Sequence, residues 1–251
     1  MIRMTLLLLL AAMTAAASAF AQESPQPSIP KDNLHIYLLI GQSNMAGRAP
    51  IPADAAGPIE RCFLLDDQDR WQPATPPLNR FSTIRKGLGM QKLNPGYGFA
   101  RTMLAADPAI QIGLVVNAKG GSSITQWERD DPFYKEAVRR TKIAAKTGTL
   151  AGILWHQGES DAGDSEYLAK LKTLVTNLRE DLGEPNLPFI AGQVKDVPLI
   201  NEQIAKLPEE LPGTGFASSE GLTTMDRWHF DTPSMIKLGQ RYAEAMRKVR
   251  K

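Results

Sequence analysis

The 251-residue chain has a single cysteine, Cys62, so no disulfide can close within it. A lone small thiol is most simply a buried apolar residue. Charge of one sign is also missing. With 29 basic against 27 acidic residues, the net charge is +2, and no face is basic enough to grip a phosphate backbone. Nucleic acid is thereby excluded as an expected partner. The three histidines, His35, His156 and His229, show no metal-ligand spacing with their acidic neighbours. We expect neither metal nor cofactor. Beyond the N-terminus no apolar run is long enough to span a bilayer, and no internal repeat is visible. A chain of this length, 43% hydrophobic, fits one domain and can bury a core without a covalent staple.

Residues 1–21 read as a secretory signal peptide. Arg3 precedes an apolar run from Leu6 to Ala12, and small residues lead to Ala19-Phe20-Ala21, an A-x-A cleavage site. Thr14 and Ser18 interrupt the run, which is too short for an anchor. Gln22, not cysteine, follows the cleavage point, so lipid attachment there is excluded by chemistry. Loss of Arg3 takes the formal charge from +2 to +1. The expected product is secreted or periplasmic and free of the membrane after cleavage. Residues 22–33, with Pro25, Pro27 and Pro30, read as a linker, and 34–251 as the folded domain.

Near-continuous apolar runs at 35–40, 110–117, 150–155 and 187–192 have the character of strands covered on both faces. Between them, 132–146 and 167–182 carry apolar residues at helical spacing. A final helix is expected to open at Thr232-Pro233, with Thr232 as its cap. Strands alternating with helices predict an α/β fold, a three-layer α/β/α sandwich around a central parallel sheet. The proline-rich stretch 49–79 is expected to form surface loops.

In such sheets the ligand crevice lies beyond the carboxyl ends of the strands. Polar blocks stand at those ends: Gly41-Gln42-Ser43-Asn44, Lys119-Gly120-Gly121-Ser122 and Gln157-Gly158-Glu159-Ser160-Asp161. A fourth, Asp226-Arg227-Trp228-His229, precedes the last helix. A hydroxyl, an imidazole with a carboxylate to orient it, and amide donors are the parts of serine-esterase chemistry. Penicillin-binding signatures are not met, since Lys146-Thr147-Gly148 precedes Ser234-x-x-Lys237 instead of following it. The G-x-S-x-G elbow is absent, position 45 being Met.

The four blocks, in this order, resemble the SGNH hydrolase superfamily. Within it they resemble the sialate O-acetylesterase and carbohydrate acetylesterase branch, acetylxylan esterases included, where Gln-Ser-Asn stands for Gly-Asp-Ser. The resemblance covers residues 34–251 and implies a flavodoxin-like fold and metal-free ester hydrolysis. Ser43 is then the nucleophile, His229 the base and Asp226 its orienting carboxylate. Asp231 is a rival for that role, expected instead to be solvated beside the Thr232 cap. The oxyanion donors are expected to be the N–H of Ser43, the N–H of Gly121 in preference to Gly120, and the side-chain amide of Gln157. Asn44, Glu159 and Asp161 are expected to brace the loops. His156 is open to a packing or a substrate role, and Trp127, Trp155 and Trp228 to packing or to stacking on a sugar. The expected partner is an acetylated carbohydrate, either xylan or sialic acid. Rival readings are a short-chain lipid or thioester hydrolase of the same fold and a non-catalytic carbohydrate-binding module.

Overall fold

A computed structural model describes residues 31–84, 87 and 89–250. The signal-peptide reading for 1–21 and most of the linker lie outside the described residues.

β1 (Leu34–Gly41) shows how the chain separates its two cores. Successive strand side chains point to opposite faces. Leu34, Ile36, Leu38 and Ile40 enter one cluster, whereas Tyr37 and Leu39 enter the other. A strand apolar on both faces can only sit in the middle of a sheet. It does so here: β1 lies between β4 (Gln111–Val116) and β5 (Thr149–His156), parallel to both, with Leu38 opposite Val115 and Leu39 opposite Leu154. Beyond β5 come β6 (Phe189–Gly192) and β7 (Thr214–Ala217), again parallel. On the other side β2 (Cys62–Leu65) pairs parallel with β4, and β3 (Trp71–Pro73) closes that edge antiparallel to β2. The sheet order is β3-β2-β4-β1-β5-β6-β7.

Helices cover both faces. α2 (Gly96–Ala106) and α6 (Thr232–Val249) pack on the Tyr37 side, where Phe99, Leu238 and Tyr242 are fully buried. α3 (Pro132–Ala144), α4 (Tyr167–Leu182) and α5 (Pro198–Glu210) pack on the other, through Ala137, Leu171 and Ile204. The three-layer α/β/α sandwich is therefore present, and its sheet is parallel except at β3.

Two expectations are corrected. The stretch 49–79 is not loop throughout, because β2 and β3 form an edge hairpin within it. Pro73 is tolerated there, since an edge strand need not donate from every amide. The cap of α6 is Asp231, not Thr232: its Oδ1 accepts the N–H of Ser234 at 2.9 Å, and Thr232 is already helical.

The chain reverses its direction of growth across the sheet at β1, with β4 on one flank and β5 on the other. The crevice of such a fold opens at that switch point. Gly41 makes the approach close there. Its φ is +132°, and a Cβ would stand 2.2 Å from the carbonyl oxygen of His156. The next amide, Gln42 N–H, donates to that oxygen at 2.8 Å.

Candidate active site

Ser43 opens the short helix α1 (Ser43–Ala46) directly after β1 and is 7% exposed. Its Oγ lies 3.0 Å from His229 Nε2, and His229 Nδ1 lies 2.8 Å from Asp226 Oδ2. Asp226 also shapes the loop that carries the histidine, because its Oδ1 accepts the N–H groups of Trp228 and His229 at 2.8 Å each. Burial pushes the Asp226 carboxyl up, but hydrogen bonds from the His229 ring and the two amides outweigh it and hold the group at about 2. An ionised carboxylate on Nδ1 fixes the tautomer that presents Nε2 to the hydroxyl.

Asp231 faces elsewhere. Beside the Ser234 amide it accepts the Thr223 hydroxyl, so it serves the helix end and not the imidazole.

Asn44 ties the nucleophile's helix to the histidine loop. Its Nδ2 donates to Glu159 Oε1 at 2.8 Å and to Trp228 O at 3.0 Å, and its Oδ1 accepts from Phe230 N at 3.2 Å. Glu159 is buried, its Oε2 has no hydrogen-bond partner among the described residues, and burial raises the carboxyl to about 7. Asp161 accepts the Ile124 amide at 2.9 Å, so these three residues brace loops as expected.

Gly120 lies over the nucleophile: a Cβ on it would stand 3.8 Å from Ser43 Cβ and 2.6 Å from Arg48 Nη2. Gly121 has φ +74° and open space around it. Among the described residues neither glycine amide has a backbone hydrogen-bond acceptor.

Gln157 departs from expectation. Its Nε2 faces three acceptors, namely Gln42 Oε1 at 3.1 Å, Ser122 O at 3.1 Å and Asp161 Oδ2, and the residue is 0% exposed. An amide nitrogen has two hydrogens. Both are engaged, so this arrangement leaves none for a substrate oxygen, and Gln157 does not stand as the free donor.

The other aromatic and imidazole groups divide plainly. His156 is fully buried with Nδ1 3.0 Å from the Tyr242 hydroxyl, which donates to Trp155 O at 2.6 Å; burial lowers the imidazole to about 3. It is a packing residue. Trp127 and Trp155 are likewise buried, in edge-to-face contact at 5.4 Å, and cannot reach a sugar. Trp228 stays partly exposed at the rim, with the Arg227 guanidinium 4.5 Å over its ring. Among the described residues no group of acidic, histidine or cysteine side chains could hold a metal ion.

The family description "Carbohydrate esterase, sialic acid-specific acetylesterase" matches residues 33–248. A "Probable carbohydrate esterase" of Arabidopsis thaliana is 31% identical over 251 aligned residues, 89% of this chain and 94% of the relative. An X-ray structure of an Arabidopsis thaliana protein superposes with TM-score 0.77 at 30% identity, covering 86% of this chain and 98% of that one. The structure of NanS aligns with TM-score 0.67 at 17% identity, over 88% and 98% of the two chains.

Proposed function

The chain belongs to the sialic acid-specific acetylesterase family of carbohydrate esterases and is a carboxylic ester hydrolase, and from that premise we propose that Ser43, His229 and Asp226 remove O-acetyl groups from carbohydrates. The observation that carries this reading is the relay of 3.0 Å from Ser43 Oγ to His229 Nε2 and 2.8 Å from His229 Nδ1 to Asp226. Ser43 Oγ attacks the acetyl carbonyl carbon while His229 Nε2 takes the hydroxyl proton. The carbonyl π pair moves onto oxygen, where the backbone N–H groups of Ser43 and Gly121 receive it. Collapse breaks the bond to the sugar oxygen, which leaves with the proton from His229. A water then attacks the acetyl-serine by the same route, releasing acetate and restoring Ser43. Asp226 remains ionised throughout and stabilises the transient imidazolium.

The substrate we propose is acetylated xylan or acetylated sialic acid, met outside the cytoplasm. Supporting it are the signal-peptide pattern of 1–21 and the partly exposed Trp228, whose indole can lie against a sugar face. A carbohydrate acetylesterase from Xanthomonas citri shares the fold, with TM-score 0.63 at 21% identity. The test compares initial rates on p-nitrophenyl acetate, butyrate and octanoate with acetate release from acetylated xylo-oligosaccharide and acetylated sialic acid. Acetate must be the preferred acyl group and at least one glycan must be turned over. Preference for octanoate would move the reading to a lipid or thioester hydrolase.

A further inference from the structure

We propose that Arg48 and Arg227 make the rim of this crevice a carboxylate site, so that the acetyl ester cleaved at Ser43 stands on an acidic sugar; this rests on the esterase reading above. Arg48 follows the short helix of the nucleophile, and its guanidinium turns back to the site. A Cβ on Gly120 would stand 2.6 Å from Arg48 Nη2 and 3.8 Å from Ser43 Cβ, so positive charge and nucleophile meet the same face of one glycine. The other terminal nitrogen fixes the fork. Arg48 Nη1 donates to Gly47 O at 2.8 Å and to Met90 O at 3.3 Å, two acceptors that carry no charge. An arginine stays protonated at every working pH, so the charge beside Ser43 is permanent.

The histidine loop brings a second guanidinium. Arg227 lies between Asp226 and His229, exposed, with its guanidinium carbon 4.5 Å from the centre of the Trp228 ring. A third cation, Lys119, directly precedes the Gly120-Gly121 pair, its backbone N–H tied to Gly41 O at 2.9 Å. Neither Arg227 nor Lys119 has an ion pair among the described residues. The loops that meet at Ser43 thus each carry a cation. The nearby acids do not offset them. Asp226 gives both carboxylate oxygens to His229 and the amides of its loop, and Glu159 is buried, which disfavours its charge. A cleft with an excess of one sign draws the opposite charge, and a guanidinium fork fits a carboxylate better than a neutral hydroxyl. On an acetylated carbohydrate that anion is the carboxylate of a sialic acid or of a uronic acid; plain xylose has none.

Two matched pairs of substrates test the charge alone: O-acetylated sialic acid against its carboxamide, and an O-acetylated glucuronoside against its carboxamide. Acetate release gives kcat/KM for each, and the ratio of acid to amide is the readout. A purely structural arginine moves both members of a pair together and leaves that ratio alone. We expect wild type to favour at least one acid over its amide by about tenfold or more, the size of a hydrogen bond to a charged group. Which pair responds tells sialic from uronic acid. Arg48→Met should lower the ratio at least about fivefold, Arg227→Met should lower it less, and Arg48→Lys, which keeps the charge, should retain more of it than Arg48→Met. Should Arg48→Met fail to fold, Arg48→Gln, an uncharged donor, carries the comparison. The proposal is overturned if the wild-type ratio stays within about threefold of one on both pairs, or if a folded, uncharged Arg48 variant keeps the wild-type ratio. Acetate released from acids and amides alike, and lost in Ser43→Ala, defeats only this proposal. No acetate from these four substrates or from p-nitrophenyl acetate defeats the esterase reading itself.

Discussion

Asn44 grips the backbone on both sides of His229, donating to the carbonyl of Trp228 at 3.0 Å and accepting from the amide of Phe230 at 3.2 Å. The residue that follows the nucleophile therefore sets where the base stands. Asn44→Ala frees the histidine loop and should lower kcat at least tenfold while KM on p-nitrophenyl acetate stays within about threefold, since proton-transfer geometry and not binding is lost. A variant with normal kcat would show that Asp226 alone positions the imidazole.

Glu159 gives the fold a pH dependence with a definite sign. Its carboxyl is raised from 4.5 to about 7 by burial, so the ionised form is disfavoured in the folded state. A raised carboxyl contributes stability that is fully present below the unfolded value and is lost as pH rises through about 7. Glu159→Gln keeps an oxygen for Asn44 and cannot ionise. Thermal melting should show the variant equal to wild type near pH 4 and more stable at pH 8, by up to about 3 kcal/mol. A variant less stable at pH 8 would contradict the assignment.

The two acidic residues around the histidine loop should separate cleanly. Asp226, held at about 2, stays ionised through the whole working range, so activity lost on acidification above about pH 3 belongs to another group. Asp226→Asn leaves the tautomer unfixed and should cut kcat by about 10³-fold or more. Asp231→Ala removes the cap of α6 and should cost about 1 kcal/mol in unfolding experiments, with kcat unchanged. The reverse ranking in kcat would make Asp231 the orienting acid.

Among the tryptophans, Trp228 alone of Trp127, Trp155 and Trp228 has surface to offer a sugar. Trp228→Ala should raise KM for acetylated xylo-oligosaccharide about three- to tenfold, the worth of one aromatic contact, and leave p-nitrophenyl acetate unaffected. An equal KM effect on both substrates would make Trp228 a support for the His229 loop instead.

The parts of the fold legible in the sequence are those where burial is strong and uniform. β1, β4 and β5 are apolar on both faces and stand within a residue or two of their expected limits, and α4 begins and ends where its spacing predicts. Elements that escaped notice carry weak or mixed signals. β2 and β3 span four and three residues. α2 opens on Gly96-Tyr97-Gly98, poor helix formers that tertiary contacts override, and α5 contains Pro208. At the site, the block order brought Ser43, Asp226 and His229 together, because chemistry needs those residue types at strand ends. The engagement of the Gln157 amide was not legible, because only the acceptors around its nitrogen reveal that it is spent.

The central claim is that Ser43 hydrolyses acetyl esters on carbohydrate, and acetate release from acetylated xylo-oligosaccharide and acetylated sialic acid by wild type and Ser43→Ala tests it most directly. Wild type should release acetate from at least one of them, and a folded Ser43→Ala protein should retain about 10⁻³ of that rate or less. A folded Ser43→Ala variant that kept more than about a tenth of the activity would contradict the account.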